Sequence, residues 1–144
     1  MPAWKNFLLA GSVMSFGIAL LHLVIIFIGA NAYRYFGAGE EMAALAENGS
    51  LQPALITFAI TILFSLFGLY GLSGANVFKR LPFLKWILLV IGSVYALRGL
   101  AVIGEIIMMF ENPGYPFRMI IFSLVSLVTG LFYLAGIKMN RKSL

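Results

Sequence analysis

The chain has 144 residues, of which 62% are hydrophobic and 10% are charged, and its formal net charge is +5. A soluble domain carries about 25% charged residues, so these proportions exclude a water-soluble globular domain and predict a protein whose solvent is the lipid bilayer. The lack of cysteine excludes disulfides, iron–sulfur clusters and thiol chemistry.

Four apolar segments are each long enough to cross a bilayer, which takes about 20 helical residues. With their connections they use up the whole length, so we predict a single transmembrane domain over residues 1–144. The predicted fold class is all-α: an integral membrane four-helix bundle with up-down-up-down topology. The predicted spans are residues 7–30, 53–72, 86–110 and 117–137.

The first connection predicts one further helix. Aromatic residues Tyr33 and Tyr35 follow the first span, as in an interfacial belt. After the glycines at 37 and 39, residues Glu40 to Glu47 form a short helical stretch with acidic side chains in its first turn, where the helix dipole favours them. Asn48-Gly49 is a stop signal. We expect this helix to lie at the membrane surface or to cap the bundle, in the first extracytoplasmic loop.

The basic residues predict the orientation. The two termini and the second connection carry most of them, whereas the first and third connections together carry two arginines and four glutamates. By the positive-inside rule both termini are cytoplasmic, in a multi-pass protein of the bacterial inner (plasma) membrane. The same bias accounts for the net charge without a nucleic-acid partner. The inside set is Lys5, Lys79, Arg80, Lys85, Lys138, Arg141 and Lys142, and the outside set is Arg34, Arg118, Glu40, Glu41, Glu47 and Glu111.

The third span contains two ionisable residues, Arg98 and Glu105. Such a side chain in hydrocarbon costs at least ~2.5–3.5 kcal/mol on insertion scales, so it faces protein or water. A separation of seven residues is nearly two helical turns, which puts both on one face together with Tyr95. About 10 Å of helix lies between them, so they need not touch, and a bridging water or an anionic ligand group would suit the gap.

Polar residues of other spans extend this candidate site. At a rise of ~1.5 Å per residue, His22 lies about 22 Å, Arg98 about 18 Å and Glu105 about 28 Å from the cytoplasmic end of its span. Thr57 and Thr61 lie on the outer half of the second span. The predicted ligand-binding residues of an outward-facing polar pocket are Arg98, His22, Glu105, Tyr95, Thr57 and Thr61.

Each of these residues has an expected role. Arg98 would pair with an anionic group, His22 and Tyr95 would form hydrogen bonds, and Glu105 would set the charge at the entrance. The alternative is that the ionisable side chains only satisfy one another and fix the register of the helices. Intramembrane charges more often belong to functional sites, which favours the first interpretation.

The favoured function is non-enzymatic: the pocket binds an amphiphilic or anionic small molecule, or docks a partner membrane protein. One alternative is a proton-coupled small transporter acting as a homodimer, with Glu105 or His22 as the titrating group. The other is a structural or redox/quinone-linked accessory subunit. A b-type haem usually takes two axial histidines and the chain has one, which disfavours a haem cofactor. No spacing predicts a metal site or a catalytic triad.

Five segments of the chain have a recognisable pattern: Phe36-Gly37-Ala38-Gly39-Glu40-Glu41-Met42-Ala43, Pro53-Ala54-Leu55, Phe67-Gly68-Leu69-Tyr70-Gly71-Leu72-Ser73-Gly74-Ala75, Leu81-Pro82 and Tyr95-Ala96-Leu97-Arg98-Gly99-Leu100. In these segments the chain resembles a group of small four-span inner-membrane proteins of proteobacteria that carry no assigned activity. The resemblance covers about two thirds of the chain and implies the four-span architecture.

Overall fold

A computed structural model describes residues 2–140, and within that range there are seven α-helices and no β-strand. The predicted all-α class is therefore confirmed. The helices are α1 (Ala3–Ile28), α2 (Ala30–Phe36), α3 (Glu40–Glu47), α4 (Gln52–Gly74), α5 (Leu84–Leu100), α6 (Val102–Glu111) and α7 (Phe117–Met139).

Four helical stretches are long and apolar enough to cross a membrane: α1, α4, α5 with α6, and α7. The shortest have 23 residues, which is about 35 Å of helix against a hydrocarbon core of about 30 Å. Large apolar side chains lie on the outside, such as Phe27 at 82% and Leu97 at 69% exposure. Contact of this apolar surface with water would be unfavourable, whereas contact with the acyl chains of lipids would not. The cytoplasmic position of the termini stays a prediction.

The first connection differs from its predicted form. The predicted helix over Glu40–Glu47 is confirmed as α3, but a second short helix, α2, precedes it where a loop was expected. Gly29 separates α1 from α2 with a φ of 77°, and Gly37 ends α2 with a φ of 82°. Left-handed backbone of this kind strongly favours glycine, so the two glycines let the chain turn sharply at both ends of α2.

The third predicted span is confirmed as a stretch long and apolar enough to cross a membrane, Leu84–Glu111, and the turn at Ala101 divides it into two helices. α5 ends at Leu100 and α6 begins at Val102, so the break falls between Arg98 and Glu105. At the break, the Ala101 N–H donates to the carbonyl of Arg98 at 3.3 Å, three residues back instead of the four of an α-helix. This turn lies beside the two ionisable residues of the span.

The described residues pack as two compact units. One unit is residues 15–66, which contain α2, α3, the end of α1 and the beginning of α4. Its buried core is formed by Ile25, Ala32, Tyr33 and Ala43. The other unit is residues 2–14 with 67–140, which contain α5, α6, α7 and the remaining parts of α1 and α4.

Within the second unit, α5 and α7 run antiparallel with their backbones in close approach at glycines. A Cβ atom added at Gly99 would lie 2.4 Å from the Leu127 Cα, and one added at Gly130 would lie 2.5 Å from the Ala96 nitrogen. Small residues permit such close packing between membrane helices. The contact at Leu127 also brings Ser123, one turn earlier on α7, towards the break between α5 and α6.

We predict that Gly99→Ala destabilises the fold and that Gly104→Ala does not. The new methyl group at Gly99 would meet the α7 backbone, and overpacking of this kind costs about 1–3 kcal/mol. Among residues 2–140, no atom lies within 4 Å of the corresponding position at Gly104. The free energy of unfolding, measured by SDS titration of the protein in mixed micelles, tests this; equal values for the two variants would contradict the close approach.

Candidate functional site

Arg98 and Glu105 are joined through a serine of α7. Arg98 Nη1 donates to Ser123 Oγ at 2.7 Å, and Ser123 Oγ donates to Glu105 Oε1 at 2.8 Å. The direct separation of Nη1 and Oε1 is 3.9 Å. The gap that was expected to suit a water or a ligand group is therefore occupied by the Ser123 hydroxyl, because the guanidinium extends towards Glu105 and α7 supplies the remaining contact.

The two charges of this cluster differ in burial. The Glu105 side chain is 11% exposed, whereas that of Arg98 is 47% exposed. Glu105 Oε2 is buried and has no hydrogen-bond partner among residues 2–140. The guanidinium thus lies at the edge of its helices, and the cluster ties α5, α6 and α7 together. This geometry fits the alternative interpretation, in which the ionisable side chains fix helix register.

Tyr95 belongs to an aromatic core. Its side chain is buried, its ring stacks on that of Tyr133 with centroids 6.1 Å apart, and the ring of Phe67 meets it edge-on at 5.8 Å. The Tyr133 hydroxyl donates to the Phe67 carbonyl at 2.9 Å. The structure therefore places Tyr95 in the packing between helices.

Three hydroxyl side chains lie at four-residue steps along α4, and each forms a hydrogen bond within its own helix. Thr57, Thr61 and Ser65 each donate to the carbonyl four residues earlier, at 2.8, 2.9 and 2.8 Å. Thr57 differs from the other two because its hydroxyl also lies 3.4 Å from the hydroxyl of Tyr33. It is the one predicted residue of this helix that faces a partner on another helix in the described unit.

A cavity of about 230 Å³ lies in the unit formed by residues 15–66. Of the predicted ligand-binding residues, His22 and Thr57 line it, while Arg98, Glu105, Tyr95 and Thr61 are not among its lining residues. Tyr33 lines it too; it was expected to be an interfacial anchor, but it is 2% exposed. The complete lining is His22, Ile25, Tyr33, Phe36, Gly37, Ala38, Met42, Ile56, Thr57 and Ile60.

His22 is oriented by its own helix. Its Nδ1 lies 2.8 Å from the carbonyl oxygen of Ile18, one turn earlier on α1. The contact is expected from helix geometry, because side chains lean towards the N-terminus of their helix. The centroid of the Phe64 ring lies 5.2 Å from that of the imidazole, so the two rings are in contact. Two contacts thus position the ring.

Helices α2 and α3 cover the cavity and are clamped by Arg34. The guanidinium donates to both oxygens of Glu40, the shortest contact being 2.6 Å, and to both oxygens of Glu47 at 2.6 and 3.0 Å. Glu40 and Glu47 are seven residues apart on α3, so one side chain of α2 reaches both. These hydrogen bonds hold the pKa of each carboxyl below its usual range and raise the pKa of Arg34.

Comparison with models of protein families, with curated proteins and with solved structures finds no match. Within the part of the chain that the structure describes, no three His, Cys, Asp or Glu side chains gather closely enough to hold a metal ion. The cavity, its cover and the Arg98 cluster are therefore the features of the described residues that bear on function.

We predict that Ser123→Ala destabilises the protein more than Ser126→Ala. Removal of the Ser123 hydroxyl leaves Arg98 and Glu105 without their bridge, and an unsatisfied buried polar group costs about 1–3 kcal/mol. Within the described part of the chain, Ser126 donates to the Phe122 carbonyl of its own helix, at 3.1 Å. Free energies of unfolding in micelles test the difference; an equal loss in both serine variants would show that the bridge contributes nothing.

We predict that acid loosens the cover of the cavity. Because the folded-state pKa values of Glu40 and Glu47 lie below the unfolded ones, the clamp contributes fully above the usual carboxyl range and is lost as the pH falls through the lowered values. Hydrogen-exchange protection of α2 and α3, corrected for the intrinsic exchange rate, should fall between neutral pH and about pH 3.

Two variants check the origin of this pH response. Arg34→Gln should lower the protection at neutral pH and abolish its pH dependence, since the carboxylates lose the common partner. Glu41→Gln should keep the response of the unaltered protein, because Glu41 takes no part in the clamp. A pH response that survives in Arg34→Gln would assign it to other groups.

Proposed function

We propose that the protein is an inner-membrane protein that binds an amphiphilic small molecule, and that its binding pocket is the cavity at His22. The observation that carries the proposal is the composition of the lining, in which aliphatic and aromatic side chains surround three polar ones, His22, Tyr33 and Thr57. Small-molecule sites are mostly apolar clefts with a few convergent polar groups. The segments quoted above support grouping the chain with the small four-span proteins of proteobacteria.

The position of the cavity supports an outward-facing site. It lies where α1 ends and α4 begins, under the connection formed by α2 and α3. The distribution of basic residues predicts that this connection is extracytoplasmic. A ligand from the periplasm or from the outer leaflet would therefore meet this end of the protein first.

The electrostatics support an amphiphilic ligand over an anionic one. No Lys or Arg is among the lining residues. Arg34 lies on the covering helix, but Glu40 and Glu47 engage its guanidinium on both edges. An anionic group in the cavity would have no cation to balance it, and an unpaired charge in an apolar site is strongly disfavoured.

We predict that filling the cavity removes the ligand. Ile60→Trp puts an indole into the lining, whereas Leu63→Trp puts the same group on a side chain of α4 that is 47% exposed and is not among the lining residues. The test is mass spectrometry of small molecules extracted from each purified protein. A compound retained in proportion to protein should be present in the unaltered chain and in Leu63→Trp, and lost in Ile60→Trp.

Circular dichroism of each variant confirms that its helices are intact. Equal content of the compound in both tryptophan variants would contradict the proposal. So would the absence of any retained compound in the unaltered protein.

A further inference from the structure

His22 presents one free hydrogen-bond acceptor. A carbonyl oxygen only accepts, so the 2.8 Å contact to the Ile18 carbonyl requires the hydrogen on Nδ1. In the neutral imidazole Nε2 then carries a lone pair, and it has no hydrogen-bond partner among residues 2–140. No carboxylate side chain is among the lining residues.

The two hydroxyls of the lining are also acceptors. Thr57 has one hydroxyl hydrogen, and the Pro53 carbonyl at 2.8 Å is nearer to it than the Tyr33 oxygen at 3.4 Å. With that hydrogen on the Pro53 carbonyl, the Tyr33 hydroxyl can donate to the Thr57 oxygen. Both oxygens keep lone pairs for a ligand. The side-chain polar atoms of the lining therefore complement a donor.

The cavity has the volume of a ring-sized ligand. An apolar protein cavity of about 150 Å³ is known to hold benzene. The cavity here, at about 230 Å³, has room for one aromatic ring and a short substituent. Phe36, Tyr33 and Met42 offer the aromatic and thioether contacts that favour a ring.

We infer that the ligand of this pocket is an uncharged, ring-sized molecule with a hydroxyl group, phenolic or alcoholic, which donates a hydrogen bond to His22 Nε2. The inference rests on the proposed function and specifies the chemistry of its ligand. The hydroxyl lies at the polar edge formed by His22, Thr57 and Tyr33. The ring lies against the isoleucines of α1 and α4 and against the covering helices.

Three single-ring probes test this chemistry: p-cresol, toluene and 4-methylbenzoate. They share a methylated ring and differ in carrying a donor, no polar group or a negative charge. The chain has one histidine, so the spectrum of ¹⁵N-histidine-labelled protein in micelles reports on His22 alone. Saturating p-cresol should shift the Nε2 resonance while the Nδ1 hydrogen is retained, and toluene should leave Nε2 unchanged.

Matched variants separate the hydrogen bond from partition into the micelle. His22→Phe keeps a ring of similar size but removes Nε2, so it should weaken p-cresol binding about tenfold and leave toluene binding unchanged. Thr61→Val should change neither affinity, because Thr61 donates to its own helix and is not among the lining residues. If His22→Phe does not fold, the spectrum of the unaltered protein decides the matter.

The outcomes distinguish this inference from the proposed function. Saturable binding of p-cresol without a shift at Nε2, or tighter binding of 4-methylbenzoate, overturns the donor assignment and leaves the pocket intact. If no probe binds but a retained compound is lost in Ile60→Trp, the ligand class is wrong and the proposed function stands. If neither a probe nor a retained compound is bound, both fail.

Discussion

The lack of water in the hydrocarbon core is the constraint on which the rest of this structure depends. A polar group within a span must find its partner inside the protein, since acyl chains cannot provide one. The hydroxyls of this chain obey the rule in two ways. Thr61 and Ser65 donate back to their own helix, which satisfies them without linking helices. Ser12 and Tyr133 instead donate to the carbonyls of Gly68 and Phe67 on α4, so the same requirement ties helices together.

The charges of the third span follow the same rule. Ser123 accepts from Arg98 and donates to Glu105, so one neutral hydroxyl joins both charges and connects α7 to each side of the break between α5 and α6. The exposed half of the guanidinium needs water, a lipid head group or protein beside it, because hydrocarbon would be too costly.

The parts of the fold that could be predicted are those set by local chemistry. The spans follow from runs of apolar residues, and α3 follows from acidic residues at its beginning and Asn48-Gly49 at its end. Helix α2 could not be predicted in the same way. It has seven residues, and it exists because Gly29 adopts a positive φ that the sequence permits but does not require. Its aromatic residues suggested an interfacial belt, so the burial of Tyr33 was missed.

The sequence predicts how deep each candidate side chain lies in the membrane, but not which side chains of other helices lie next to it. A rise per residue gives the level of a side chain in the membrane, but it does not say which neighbouring helix that side chain faces. The ionisable pair of the third span was predicted from its place in an apolar run and from its seven-residue spacing, whereas Ser123 was not predicted as its partner. The structure places His22 and Thr57, two of the predicted residues, at a cavity whose lining does not include Arg98.

The packing of the helices explains why the cavity lies beside α2 and α3 and not between α5 and α7. Glycines bring α5 and α7 so close that an added methyl group would meet backbone atoms, which leaves no room for a ligand between them. The unit with α2 and α3 packs bulkier side chains beside a turn at Gly37 and Ala38, and space remains. Its clamp consists of three charged side chains, Arg34 and two glutamates, and such charges would be costly within the hydrocarbon core. The charged cover lies over acceptor-lined apolar space, and the proposed binding of an uncharged donor depends on that combination.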